Sequence, residues 1–151
     1  MKYKTFYIVL FLSVLLDQAV KYSVTKYIPL RSGFSVIRGL FSITYIRNTG
    51  AAFGIFQGNN VLLIAVSSCF IIFLLFYVLR YLKADMFLQA AAALIAGGAT
   101  GNFLDRISRG YVVDFFDLKY FSVFNAADIM INLGVSLLII DMLFKGKRKA
   151  T

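Results

Sequence analysis

Four apolar runs of near-equal length set the limits on what this chain can fold into. They cover residues 5–24, 61–79, 86–104 and 126–144. A helix of about 20 residues crosses the hydrocarbon of a bilayer, so each run is a candidate span. Composition points the same way. Of 151 residues, 60% are apolar and only 15% are charged, against about 25% charged in a globular chain. A soluble domain of this length cannot hide that much apolar surface. The expected fold is an all-α membrane protein, one domain over residues 1–151 built on a four-helix transmembrane bundle.

The cations orient the bundle. Lys2 and Lys4 precede the first run, Arg80 and Lys83 fill the short connection at 80–85, and Lys145, Lys147, Arg148 and Lys149 follow the fourth. The connections 25–60 and 105–125 carry Lys26, Arg31, Arg38, Arg47, Arg106, Arg109 and Lys119, spread thinly. The positive-inside rule then places both termini in the cytoplasm and both long connections outside. The net charge of +9 reads as topology and headgroup attraction. It does not read as nucleic-acid binding, because the basic residues are not gathered on one aromatic-rich face. The first run resembles a signal peptide, but no small-x-small cleavage site follows it. It is expected to be a retained span.

The titratable residues narrow the chemistry. There is no His and one Cys, and all seven acids are Asp. A Ser-His-Asp or Cys-His site and a His-ligated metal are excluded within this chain. Cys69 lies inside an apolar run, where buried packing is the expected role. Acid/base groups must come mainly from Asp.

Outside the runs, Phe34-Ser-Val-Ile, a turn at Arg38-Gly39 and Leu40-Phe-Ser-Ile-Thr-Tyr-Ile predict a hairpin of β-branched and aromatic residues. A small extracytoplasmic sheet at the membrane surface is the expectation. Within the runs, ionisable groups cost about 2.5–3.5 kcal/mol each on insertion scales and need a reason. Asp17 and Lys21, at i and i+4, share a helix face as a possible ion pair. Gly97, Gly101 and Asp105 form a small-residue stripe ending in a carboxylate. Asn125, Asp128 and Asn132 share a face that should point into the bundle.

With that topology, Asp17, Asp105, Asp114 and Asp128 all gather near the outer boundary. Converging carboxylates indicate either an ion site or a pair doing acid/base work, and spacing alone does not choose. Asp85 reads as a residue of the cytoplasmic turn, Asp141 as a partner of Lys145, and Asp117 as a solvated loop residue. An exporter or ion channel using Asp17 and Asp128 is the rival reading, and a structural assembly subunit a third.

Five motifs occur in order: Asp17-Gln-Ala-Val-Lys21, Asn48-Thr-Gly-Ala-Ala-Phe-Gly54, Gly101-Asn-Phe-Leu-Asp-Arg106, Val113-Asp-Phe115 and Phe124-Asn-Ala-Ala-Asp128. Together they resemble the lipoprotein signal peptidase (signal peptidase II) family over nearly the whole chain. The resemblance implies an aspartic endopeptidase of the bacterial inner or cytoplasmic membrane, active near its outer face. It would remove the signal peptide of diacylglyceryl-modified prolipoproteins, cutting before the lipidated cysteine. Carried over by motif, Asp114 and Asp128 are the catalytic pair, coming from a loop and a helix. Asn48, Gly101, Asn102, Asp105, Arg106 and Asn125 shape the site, with Asp17 and Lys21 from the first span. A hairpin over residues 34–56 would cradle the substrate. Implied partners are the lipidated precursors and membrane lipids, with no nucleic acid, cofactor or metal, and the chain as a monomer.

The residue chemistry fits that implication. Two carboxylates sharing one proton supply both the base that activates water and the acid that protonates the leaving amine. Arg106 either offsets the negative charge or contacts headgroups. Asn48 either binds substrate backbone or holds an Asp, and Asn125, three residues from Asp128, is expected to hold one. Gly97 and Gly101 either leave room for a signal peptide or acyl chain, or pack helices.

Overall fold

The computed structural model describes residues 3–51, 55–81 and 85–148. The chain runs α1 (Lys4–Tyr27), β1 (Gly33–Ile37), β2 (Phe41–Asn48), α2 (Asn60–Tyr81), α3 (Met86–Arg109), β3 (Val112–Leu118) and α4 (Ala126–Arg148). All four helices are long and apolar enough to cross a membrane. Each extends past the apolar run that marks it, because helix hydrogen bonding continues until a residue stops it. Ile28 leaves helical geometry just before Pro29 and ends α1. Gly110, at φ 79° in the left-handed region, ends α3 with its N–H on the Arg106 carbonyl, as glycine does after a helix. Asp85 starts α3, its carboxylate accepting from the N–H groups of Phe87 and Leu88. It is therefore a helix cap rather than a bland turn residue.

Helix α3 is the centre of the bundle and packs on α1, α2 and α4. Its alanines and glycines allow this, because small side chains let helix backbones approach closely. A Cβ at Gly97 would lie 2.5 Å from Ser13 Cβ, and one at Gly101 would strike the Asp17 carboxylate. The Gly97–Gly101 stripe is thus closed by α1, and helix packing is what it serves. Towards one end, Phe6, Leu74, Val78 and Ile95 form a core across α1, α2 and α3. A second core, Val24, Tyr45, Val113 and Phe115, joins α1 to the sheet.

The sheet has the order β1-β2-β3, antiparallel throughout. The expected hairpin forms β1 and β2, with Gly39 at φ 78° in its turn. The third strand differs from expectation: Asp114 lies on β3, paired opposite Ile46, and not on a loop. Residues 112–115 are buried on both faces, so the strand shows no polar alternation to read. Cys69 is another correction, since it is exposed. Helix α2 turns most of its surface outward, with Phe70, Ile72, Phe73 and Phe76 exposed. In a membrane helix apolar character does not require protein burial, because lipid is as apolar as a core. Lys2, Phe53, Lys83 and Lys149, and the side chain of Lys145 expected to meet Asp141, lie outside the described residues.

Candidate active site

Asp17, Gln18 and Lys21 on α1 face Gly101, Asn102 and Asp105 on α3. Lys21 Nζ lies 2.9 Å from Asp17 Oδ2 and 3.0 Å from Asp105 Oδ2, and all three side chains are fully buried. The third Lys21 hydrogen bond goes to Asn102 Oδ1 at 2.9 Å. Gln18 Nε2 donates to Asp17 Oδ2, the Gly101 carbonyl and Asp105 Oδ1. Asp17 Oδ1 accepts from the Ala127 N–H at the start of α4, and Asp105 Oδ2 from the Val113 N–H on β3. Arg109 supplies a second cation, its Nε 3.6 Å from Asp105 Oδ1. The expected Asp17–Lys21 pair is the middle of a larger cluster that ties four elements together.

Beside it, Asp114 and Asp128 are held by amides. Asp114 Oδ1 accepts from Asn125 Nδ2 at 2.6 Å and Oδ2 from Asn48 Nδ2 at 2.8 Å. Asp128 Oδ1 accepts from Asn102 Nδ2 at 2.9 Å. Asn125 and Asp128 also cap α4 reciprocally. The Asp128 N–H donates to Asn125 Oδ1 and the Asn125 N–H to Asp128 Oδ2, both at 3.1 Å. This is the capping-box arrangement, with Asp at the third helical position. Among the described residues, neither carboxylate forms an ion pair with Lys or Arg. Burial pushes the Asp114 carboxyl up to about 6; hydrogen bonds from Asn48 and Asn125 pull it down, and the Asp128 charge pushes it further up.

Both carboxylates line one cavity of about 970 Å³, bounded by β2, β3, α3, α4 and the 121–125 segment. Ile46, Val112, Leu118, Phe124, Ile129 and Leu133 give it mostly apolar walls. Asn125, Asp128 and Asn132 all line it, but Asn132, expected to point into the bundle, is exposed. Arg106 lines the wall too, its Nη2 donating to the Gly50 carbonyl at 3.1 Å. It shares that wall with Asp114 and Asp128. Gly101, Asp17, Lys21 and Asp105 do not line the cavity; they stand behind Asn102.

Gln18 and Arg47 were not read from the sequence, and Asn102 was read as shaping the site but not as a link between clusters. Gln18 has no signal beyond its place between Asp17 and Lys21. Asn102 is the junction of the two clusters, which only the approach of α1, α3 and α4 creates. Arg47, on the cavity wall, stacks 4.7 Å from the Tyr111 ring centroid. Its Nε also donates to the Tyr45 hydroxyl at 3.2 Å.

Residues 9–144 match the family model described as Signal peptidase (SPase) II. A lipoprotein signal peptidase of Brevibacillus brevis is 37% identical over 145 residues, spanning 95% of this chain and 97% of that protein. One of Halothermothrix orenii is 41% identical over 134 residues, 89% of this chain and 92% of its own length. The fold superposes on a bacterial membrane enzyme solved by the in meso method with a TM-score of 0.90. That structure is 34% identical and the match covers 96% of this chain and 91% of the other. A second such structure gives 0.83 at 34% identity, over 92% of each chain.

Proposed function

The chain belongs to the signal peptidase II family, and on that premise we propose that Asp114 and Asp128 are its catalytic pair. Family membership makes it a membrane aspartic peptidase that removes signal peptides from prolipoproteins. The ion-conducting and assembly readings of the intramembrane acids fall with that.

One observation carries the dyad: two carboxylates from β3 and α4, held by asparagine donors and forming no ion pair among the described residues, line the wall of one mostly apolar cavity. Close carboxylates cannot both ionise cheaply, so the pair keeps one proton. Burial raises the Asp114 carboxyl to about 6, which favours a retained proton, and that proton belongs to the pair. The ionised carboxylate takes a proton from water as the water attacks the scissile carbonyl, and the protonated one delivers its proton on the way to the leaving amine. Arg106 faces the remaining negative charge. The pair titrates as a unit, so both limbs of its pH–rate curve belong to both residues.

The apolar walls support a lipidated substrate cut before its diacylglyceryl cysteine. Each buried CH₂ contributes about 0.8 kcal/mol, so two acyl chains outweigh a few peptide contacts. The cations of the sequence support a bacterial cell-membrane location with both termini cytoplasmic and the pair near the outer face. Cysteine labelling at position 117 in a Cys69→Ser background tests that side. The substrate test compares diacylglyceryl-modified and unmodified precursor, incubated with purified protein in detergent without ATP or added metal. Strong preference for the lipidated precursor is expected; equal turnover overturns the acyl part of the reading.

A further inference from the structure

We propose that Lys21 is a positioning residue for the reaction, fixing the direction of the Asn102 amide so that its Nδ2 faces Asp128. The proposal rests on the dyad reading above. An Asn side chain can turn its amide by half a revolution with little change of shape, exchanging donor for acceptor. At Asn102 the exchange matters, because Nδ2 is the side-chain donor to Asp128, at 2.9 Å. Two donors point at Asn102 Oδ1: Lys21 Nζ at 2.9 Å and Asn125 Nδ2 at 3.1 Å. A turned amide would set its own N–H groups against an ammonium, which has donors only, and its oxygen against a carboxylate.

Charge balance alone does not explain where the third Lys21 proton goes. Lys21 and Arg109 already match Asp17 and Asp105 in number. The nearby Gly101 carbonyl is taken by Gln18. The Lys21–Asn102 bond is therefore additional to the ion cluster, and it begins an ordered series. Lys21 holds Asn102, and Asn102 holds Asp128. Asn125 Nδ2 bridges Asn102 Oδ1 and Asp114 Oδ1. The cation is thus linked to both carboxylates through amides without pairing with either.

Lys21→Met alone would leave Asp17 without a cation and Asp105 with Arg109 only, which destabilises the bundle, so it does not isolate this role. The triple change Asp17→Asn, Lys21→Met and Asp105→Asn leaves no charge among the three fully buried positions and frees only the partly exposed Arg109, while removing the donor to Asn102. The experiment measures kcat, KM and thermal unfolding in detergent for the triple variant, for Asn102→Ala and for the two combined, with diacylglyceryl-modified precursor as probe. Misplacing a reacting group by about 1 Å costs up to ~10²-fold. The triple variant should lose kcat by about 10–100-fold with KM within about twofold of the parent. On the Asn102→Ala background the same changes should cost no more than about twofold. A folded triple variant with parental kcat, or an equal loss on both backgrounds, overturns the proposal. Should the triple variant not fold, Asn102→Ser decides: it keeps a hydroxyl to which Lys21 can donate and removes the Nδ2 donor without adding a charge beside Asp128. Loss of kcat supports the role, and a parental rate overturns it. Asp128→Asn run alongside separates the two readings, since its activity would sink the dyad itself.

Discussion

Asp17 and Asp105 share Lys21 between them at 2.9 and 3.0 Å, whereas Asp114 and Asp128 receive only neutral N–H donors. The two clusters adjoin, joined by Asn102, and use the same residue type. The first is sealed between α1 and α3 with its own cation, so its charges are compensated in place. Removing one partner of such a buried pair typically costs about 3–5 kcal/mol, which makes it a folding device. The second is open to a cavity and, among the described residues, forms no ion pair, so on the proposed dyad reading a proton does the compensating. A proton can be handed over, as a lysine cannot. The same carboxylate becomes structure or chemistry according to what neutralises it.

The comparison breaks first at the dyad. Asp114→Asn or Asp128→Asn should lower turnover of lipidated precursor at least about 10³-fold, and the double change should add little, because the two act as one unit. Both variants should unfold near the parental temperature. A single variant that still cleaves at close to the parental rate ends the assignment.

On the sealed side, Gly101→Ala drives a methyl into the Asp17 carboxylate. A loss of about 1–3 kcal/mol is expected, as for other overpacked sites, read as a lower unfolding temperature in detergent. A raised KM at unchanged stability would instead put Gly101 on the substrate's path.

pH sharpens the contrast more gently. Asp114 rises from an ordinary 3.8 to about 6 on folding, so the folded chain binds this proton more tightly than the unfolded one. Its contribution to stability is complete below 3.8 and lost as pH rises through about 6. Unfolding temperature should therefore rise as pH falls from about 7 to about 5, and Asp114→Asn should remove that part of the change. The alkaline limb of kcat/KM belongs to the pair and should respond to what surrounds Asp114. Asn48→Leu deletes a donor that favours ionised Asp114, so it should move that limb upward; a fixed limb would detach Asp114 from it.

The smallest effects belong to acids in neither cluster. Asp85→Ala loses a helix cap, worth about 1 kcal/mol, with turnover within about twofold of the parent. Asp117→Asn and Asp141→Asn should also keep substantial activity. A collapse of turnover in any of these would mean the two-cluster division misses a functional acid.

Much of this was legible in one dimension. Runs of apolar residues mark the helices because backbone polarity in lipid must be satisfied within the segment. Gly39 and the β-branched residues around it mark the hairpin, and the polar face of Asn125, Asp128 and Asn132 marks the wall of the cavity. Strand β3 was not legible, because burial on both sides erases the alternation that identifies a strand. Cys69 was misread because apolar context in a membrane chain means lipid as often as core.

The sequence alone determined which groups were available: seven aspartates, no histidine, and four helices long enough to carry some of those acids into a membrane. Those are local properties, fixed by side-chain chemistry and by the length of each apolar run. Which acid meets a lysine and which meets another acid was decided only by tertiary structure. Asp105 and Asp114 lie nine positions apart, yet the turn at Gly110 sends one towards α1 and the other across the sheet to Asn48 and Asn125. Charge compensation depends on distances of about 3 Å between separate elements, and no spacing along one element specifies them.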